Sequence, residues 1–126
     1  MPSKLPLRVN LNPDGTPAVP HVHKDNSVWR SLLREDIIDP QRPIIDAHHH
    51  LWEKPGQIYL FPEFIADAKS GHNIRASVFV ECGAYYRKTG PEMMNRLGEV
   101  EFANGMAAIG ASQMHGATQV AAAIVG

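Results

Sequence analysis

The chain has 126 residues, 44% hydrophobic and 20% charged, with 12 lysines and arginines against 13 aspartates and glutamates. That balance suits one ordinary domain or part of a larger one. It excludes the basic face that would recruit nucleic acid or an anionic membrane surface. A single cysteine, Cys82, permits no intrachain disulfide, no stretch reaches the roughly 18 apolar residues of a membrane span, and the N-terminus lacks the apolar segment of a signal peptide. A cytoplasmic protein is the expectation.

Residues 1–42 are expected to form an N-terminal arm and helix. Residues 1–25 are proline-rich and contain the turn signal "PDG", with no apolar periodicity. In "NSVWRSLLREDII", residues 26–38, Trp29, Leu32 and Leu33 recur at helical spacing behind a capping Asn26 or Ser27, which predicts a helix. "DPQRP" ends it, since proline donates no amide hydrogen and restricts the residue before it.

From residue 43 the pattern alternates. "PIIDAHHH" opens with β-branched residues and reads as a strand. "LFPEFIADAKSGHN" reads as a helix: Pro62 suits the first helical position, Glu63 the positive end of the dipole and Gly71 the C′ position. Phe61, Phe64, Ile65 and Ala68 form its apolar stripe. "IRASVFVEC", residues 74–82, reads as a strand covered on both faces. A long loop follows, "GAYYRKTGPEMMNRLG". Then comes a helix of about 15 residues from near Glu99, with Phe102, Met106, Ile109 and Gln113 on one face, and "TQVAAAIVG" as a third buried strand. Such alternation predicts an α/β fold with a parallel sheet.

The chemistry concentrates in D-A-H-H-H. Side chains alternate along a strand, so Asp46, His48 and His50 are expected on one side and His49 on the other. At a rise near 3.3 Å per residue, His48 and His50 lie about 6.5–7 Å apart at Cα, close enough for both imidazoles to reach one divalent ion. Neutral imidazole is the ligand form, so binding is expected to weaken below about pH 6. Asp46 can orient a ligand histidine. Glu81 ends the second strand at the same C-terminal edge and is a candidate ligand or substrate contact; its bland alternative is a solvated carboxylate. Cys82 faces the other way and is expected to pack. Tyr85, Tyr86 and Arg87, in the loop beyond, are candidates for contacting an anionic or hydroxylated substrate, or for packing on the rim. A second H-x-H, His21 and His23, sits in the arm with no strand to aim it.

With "IIDAHHHLW" and then "ECGAYYR", the chain resembles the amidohydrolase superfamily, and within it the amidohydrolase-related branch that includes lactonases. The resemblance spans residues 43–126. It implies a TIM-type (β/α)8 barrel of which this chain holds the first three strands, about a third of the roughly 250 residues of a full barrel. It also implies that His48 and His50 bind a divalent metal, zinc foremost, or polarise the substrate directly in a metal-free variant. Asp46 and Glu81 would act beside them. The implied reaction is hydrolysis of a small-molecule lactone or amide, with further histidines and a basic aspartate on later strands. The isolated chain is accordingly expected to be inactive. A non-oxidative decarboxylase of the same superfamily is the alternative enzyme. A non-catalytic partial barrel that binds metal weakly, its open sheet covered by homo-oligomerisation, is the alternative outside enzymes.

Overall fold

The computed structural model describes residues 32–126. The chain divides into Met1–Arg34 and Glu35–Gly126, and the second unit carries the fold. The proline-rich arm and residues 26–31 of the expected first helix lie outside the described residues. Residues 32–38 form a turn and irregular chain rather than helix. Just beyond them the backbone is committed to a turn: Pro40 restricts Asp39, and the Asp39 carboxylate accepts both the backbone N–H and the Nε–H of Arg42, each at 3.1 Å.

The elements that follow are β1 (Pro43–His49), β2 (Trp52–Lys54), β3 (Gln57–Tyr59), α1 (Phe61–Ala68), β4 (Asn73–Val80), a 3-10 turn (Glu92–Met94), α2 (Leu97–Ala111) and β5 (Gln119–Val125). Strands β1, β4 and β5 form one parallel sheet in that order. This is the mixed α/β architecture that the strand–helix alternation predicts. The sheet is open, with β1 and β5 as its edges; no closed barrel is present among the described residues. No helix among them is long and apolar enough to cross a membrane.

The antiparallel hairpin β2–β3 was not expected. Its strands are three residues each, too short to show alternation, and it turns through Pro55 and Gly56, the latter at φ 75°. The hairpin is bound to α1 by Tyr59, whose hydroxyl donates to Asp67 at 2.7 Å. Burial and that hydrogen bond push the Tyr59 phenol well above its ordinary pKa.

The stripe predicted on α1 is the one that packs: Phe61, Phe64, Ile65 and Ala68 are all buried, together with Leu51, Phe79, Ala103, Val120 and Ala121. Glu63 sits in the first turn, and its carboxylate accepts the Leu60 N–H at 2.9 Å, satisfying a donor the helix leaves free. The helix gives out at Ala68 with Lys69 as cap, so Gly71 lies past the C′ position. Its φ of 132° and the Ile37 side chain above it leave no room for a Cβ.

Phe102, Met106 and Ile109 share one face of α2 as their spacing predicts, Phe102 and Met106 packing partly buried against the core; Gln113 departs from the prediction, lying beyond the helix at φ 57°. The buried residues are Gly98, Glu99, Ala103 and Gly110. A Cβ on Gly110 would stand 2.9 Å from the Val120 nitrogen, so small residues let the helix approach β5 closely. The large apolar side chains line a cleft of about 510 Å³ between α1 and α2, with Phe61, Ile65 and His115.

Phe79 is fully buried at the centre of this core. Phe79→Ala is expected to cost about 3–5 kcal/mol through lost burial and an unfilled cavity, read as a lower midpoint in urea denaturation with little change of slope.

Candidate metal centre

The strand geometry that separates His49 from its neighbours is present. His49 is 6% exposed, lies 4.4 Å from the Phe64 ring and 5.8 Å from the Phe79 ring, and so points into the layer under α1. Burial lowers its pKa, which favours the neutral ring. Its Nε2 lies 3.4 Å from Ser77 Oγ, while its Nδ1 is buried without a partner. His48 and His50 turn elsewhere and meet each other.

Their two Nε2 atoms are 3.2 Å apart. His50 Nδ1 is 2.7 Å from the Val80 carbonyl oxygen. A carbonyl can only accept, so Nδ1 carries the hydrogen and the neutral ring presents an Nε2 lone pair towards His48. A histidine that donates its other ring nitrogen to a carbonyl is the arrangement found behind metal ligands. The separation also fits. Two bonds of about 2.05 Å at a tetrahedral angle place their nitrogens about 3.3 Å apart. Without a cation, His48 Nε2–H can donate to the same lone pair.

Asp46 supports the pair through the backbone: its Oδ1 accepts the His48 N–H at 3.2 Å. Strict alternation from Asp46 to His48 does not hold, because the β1–β4 register shifts between Asp46 and His49. Three steps on β1 there match two on β4, and such a bulge redirects side chains. Glu81 has an exposed side chain. Its N–H extends the ladder to the Val125 carbonyl at 2.8 Å, which sets it at the C-terminal edge of the sheet beside Val80. The edge is thus the expected one, but no group of three or more His, Cys, Asp or Glu that could hold a metal stands together among the described residues.

The loop residues are engaged in packing. The Tyr85 ring stacks on Phe102 at 4.0 Å, and its hydroxyl donates to Glu53 at 3.5 Å. Arg87 forms a two-pronged pair with Glu101, one arm of it Nε to Oε2 at 3.0 Å. That hydrogen bonding raises the Arg87 pKa and lowers that of Glu101. Tyr86 is half-buried. The substrate contacts expected of Tyr85 and Arg87 would have to displace these partners.

One residue that organises this edge is not among those the sequence singles out. Glu99, 2% exposed, accepts the backbone N–H groups of Cys82, Gly83 and Ala84 at 2.8, 3.2 and 3.1 Å. It holds the loop after β4 onto the start of α2. Cys82 Sγ lies 3.8 Å from the Leu51 carbonyl. Burial, with Glu99 alongside, pushes the thiol up to about 11, which makes it a poor nucleophile and agrees with a packing role. Its place in the first turn of a helix signals a carboxylate favoured by the helix dipole, but the N–H groups it accepts lie 15 to 17 residues earlier in the chain and leave no local signature.

Comparison of the chain with family models, with curated proteins and with solved structures returned no match. What the site can do is argued from its residues.

Glu99→Ala leaves three partly buried N–H groups without an acceptor. It is expected to lower stability by about 2–3 kcal/mol and to raise amide exchange at Cys82, Gly83 and Ala84. Glu99→Gln retains one accepting oxygen and should fall between, so equal protection in all three proteins would refute the anchoring role.

Proposed function

We propose that this chain carries the histidine pair of a divalent-metal site and belongs to a hydrolase that opens a lactone or cleaves an amide. The observation that supports the reading is the convergence of His48 and His50 at 3.2 Å, with His50 oriented by the Val80 carbonyl. Two imidazole nitrogens at that spacing suit zinc. When bound, such an ion polarises a carbonyl and lowers the pKa of water.

The chain's own residues have three tasks in this reading. His50 keeps its proton on Nδ1 and offers Nε2. His48 must free its own Nε2, moving its ring proton to Nδ1. Asp46 holds the His48 backbone while this happens. Exposed Glu81, at the same edge, is available to a substrate or to a water. The described residues supply two of the three protein ligands that a catalytic zinc usually takes. The hydrolase therefore takes a further ligand and a general base from outside them. The fold proposed for the complete site is a TIM-type barrel, of which β1, β4 and β5 would be the first three parallel strands; their sequential order in the sheet is compatible with it. A decarboxylase could use the same pair.

The two-ligand set also favours a second reading, a non-catalytic chain that binds metal through His48 and His50 alone.

Zinc titration by calorimetry tests the common core of both. His48→Ala and His50→Ala are each expected to weaken binding by roughly 100-fold or more. His49→Ala should leave affinity within a few-fold and instead lower the melting temperature, costing about 1–3 kcal/mol. Equal losses of affinity at all three positions would refute the pairing. A lactone panel read by acid release, run beside a carbon dioxide assay on protein from its native source, separates hydrolase from decarboxylase.

A further inference from the structure

We propose that one divalent ion joins two copies of this chain, each contributing His48 and His50, so that the second copy fills the coordination positions the first leaves open. The inference rests on the reading of this pair as metal ligands.

A closed tetrahedral shell takes four protein ligands. The described residues of one copy bring two nitrogens together and no third ligand of the same kind. Two such halves related by a two-fold axis through the ion make four identical ligands, and a self-complementary contact of this type closes on itself. The position of the pair allows it. His48 and His50 stand at the end of β1, which is an edge strand of the sheet, and the His48 side chain is exposed. The geometry is already set: His50 is held by the Val80 carbonyl, and Asp46 holds the His48 backbone. The His50 ring therefore needs little further ordering on association, while the exposed His48 ring has still to be fixed by the ion. Ile45, on the same edge strand, is 66% exposed and would gain cover from a neighbour. A formal net charge of −1 per chain opposes pairing only weakly.

Four histidines leave no open position for water or substrate, so the paired form is catalytically silent. The ratio of metal to chain selects the state. Half an equivalent favours the shared ion, and excess metal favours one ion per chain with open positions.

The test adds zinc to the metal-free full chain from zero to three equivalents and reads molecular mass by light scattering, with bound zinc counted in the same fractions. The mass of one chain is 13.9 kDa. It is expected to double near half an equivalent, with one zinc per two chains, and to return on adding EDTA. His48→Ala and His50→Ala should stay at the single-chain mass, while the double variant His21→Ala/His23→Ala should still pair. One zinc per chain at every ratio with no change of mass would overturn the shared ion and leave the ligand reading standing. Loss of pairing in the His21/His23 variant, or a doubled mass already present in EDTA and unmoved by zinc, would also overturn it. No zinc binding at all would overturn both readings.

Discussion

The hydrogen bond from His50 Nδ1 to the Val80 carbonyl is the constraint on which the candidate site depends. It spans the two neighbouring parallel strands at the edge where both end. It fixes a tautomer, and with it the direction of the lone pair. Remove it and two histidines remain near one another with no defined electronic role. The carbonyl is free to accept at that point because β4 runs out there and its ladder passes to Glu81, which bonds β5. A strand end therefore supplies both an unused acceptor and the site that uses it. Ligand sites in open α/β sheets lie at this carboxyl edge.

That edge is stiffened from two directions. On one side the hairpin brings the Trp52 ring within 6.1 Å of His50 and ties itself to α1 through Tyr59. On the other, Glu99 gathers three backbone N–H groups of the loop after β4. The Glu99 carboxylate is buried, and three donors compensate for its desolvation. The hairpin sets an aromatic ring beside the His50 imidazole, whereas Glu99 acts on backbone.

The legible part of this fold was whatever depends on period. The α1 stripe of Phe61, Phe64, Ile65 and Ala68 packs as its spacing predicts, and the parallel pairing of the three strands follows from their alternation with helices. The separation of His49 from its two neighbours was legible for the same reason. What was not legible depends on close approach. The most buried positions of α2 are Gly98, Glu99, Ala103 and Gly110: a Cβ on Gly98 would meet the Tyr85 carbonyl and the Arg87 nitrogen of the loop after β4, and one on Gly110 the Val120 nitrogen of β5. Hydrophobicity counts do not register a face selected for smallness. The bulge between Asp46 and His49 was equally silent, since a register shift belongs to the pairing of two strands and not to either one.

The same limit bears on Tyr85 and Arg87. Their residue types suit substrate contact, and a loop at the carboxyl edge is where such contacts are found. Tyr85 is nevertheless stacked on Phe102, and Arg87 is paired with Glu101 across the start of α2. Partners so distant in sequence carry no local signature. The Arg87–Glu101 pair is exposed, and exposed pairs contribute little to stability. An anionic substrate could therefore draw Arg87 away at small cost, whereas the stacked ring of Tyr85 would have to give up apolar contact with α2 to follow. Of the two, the arginine keeps the more accessible route to a functional role, and the tyrosine reads as part of the clamp that holds the loop in place.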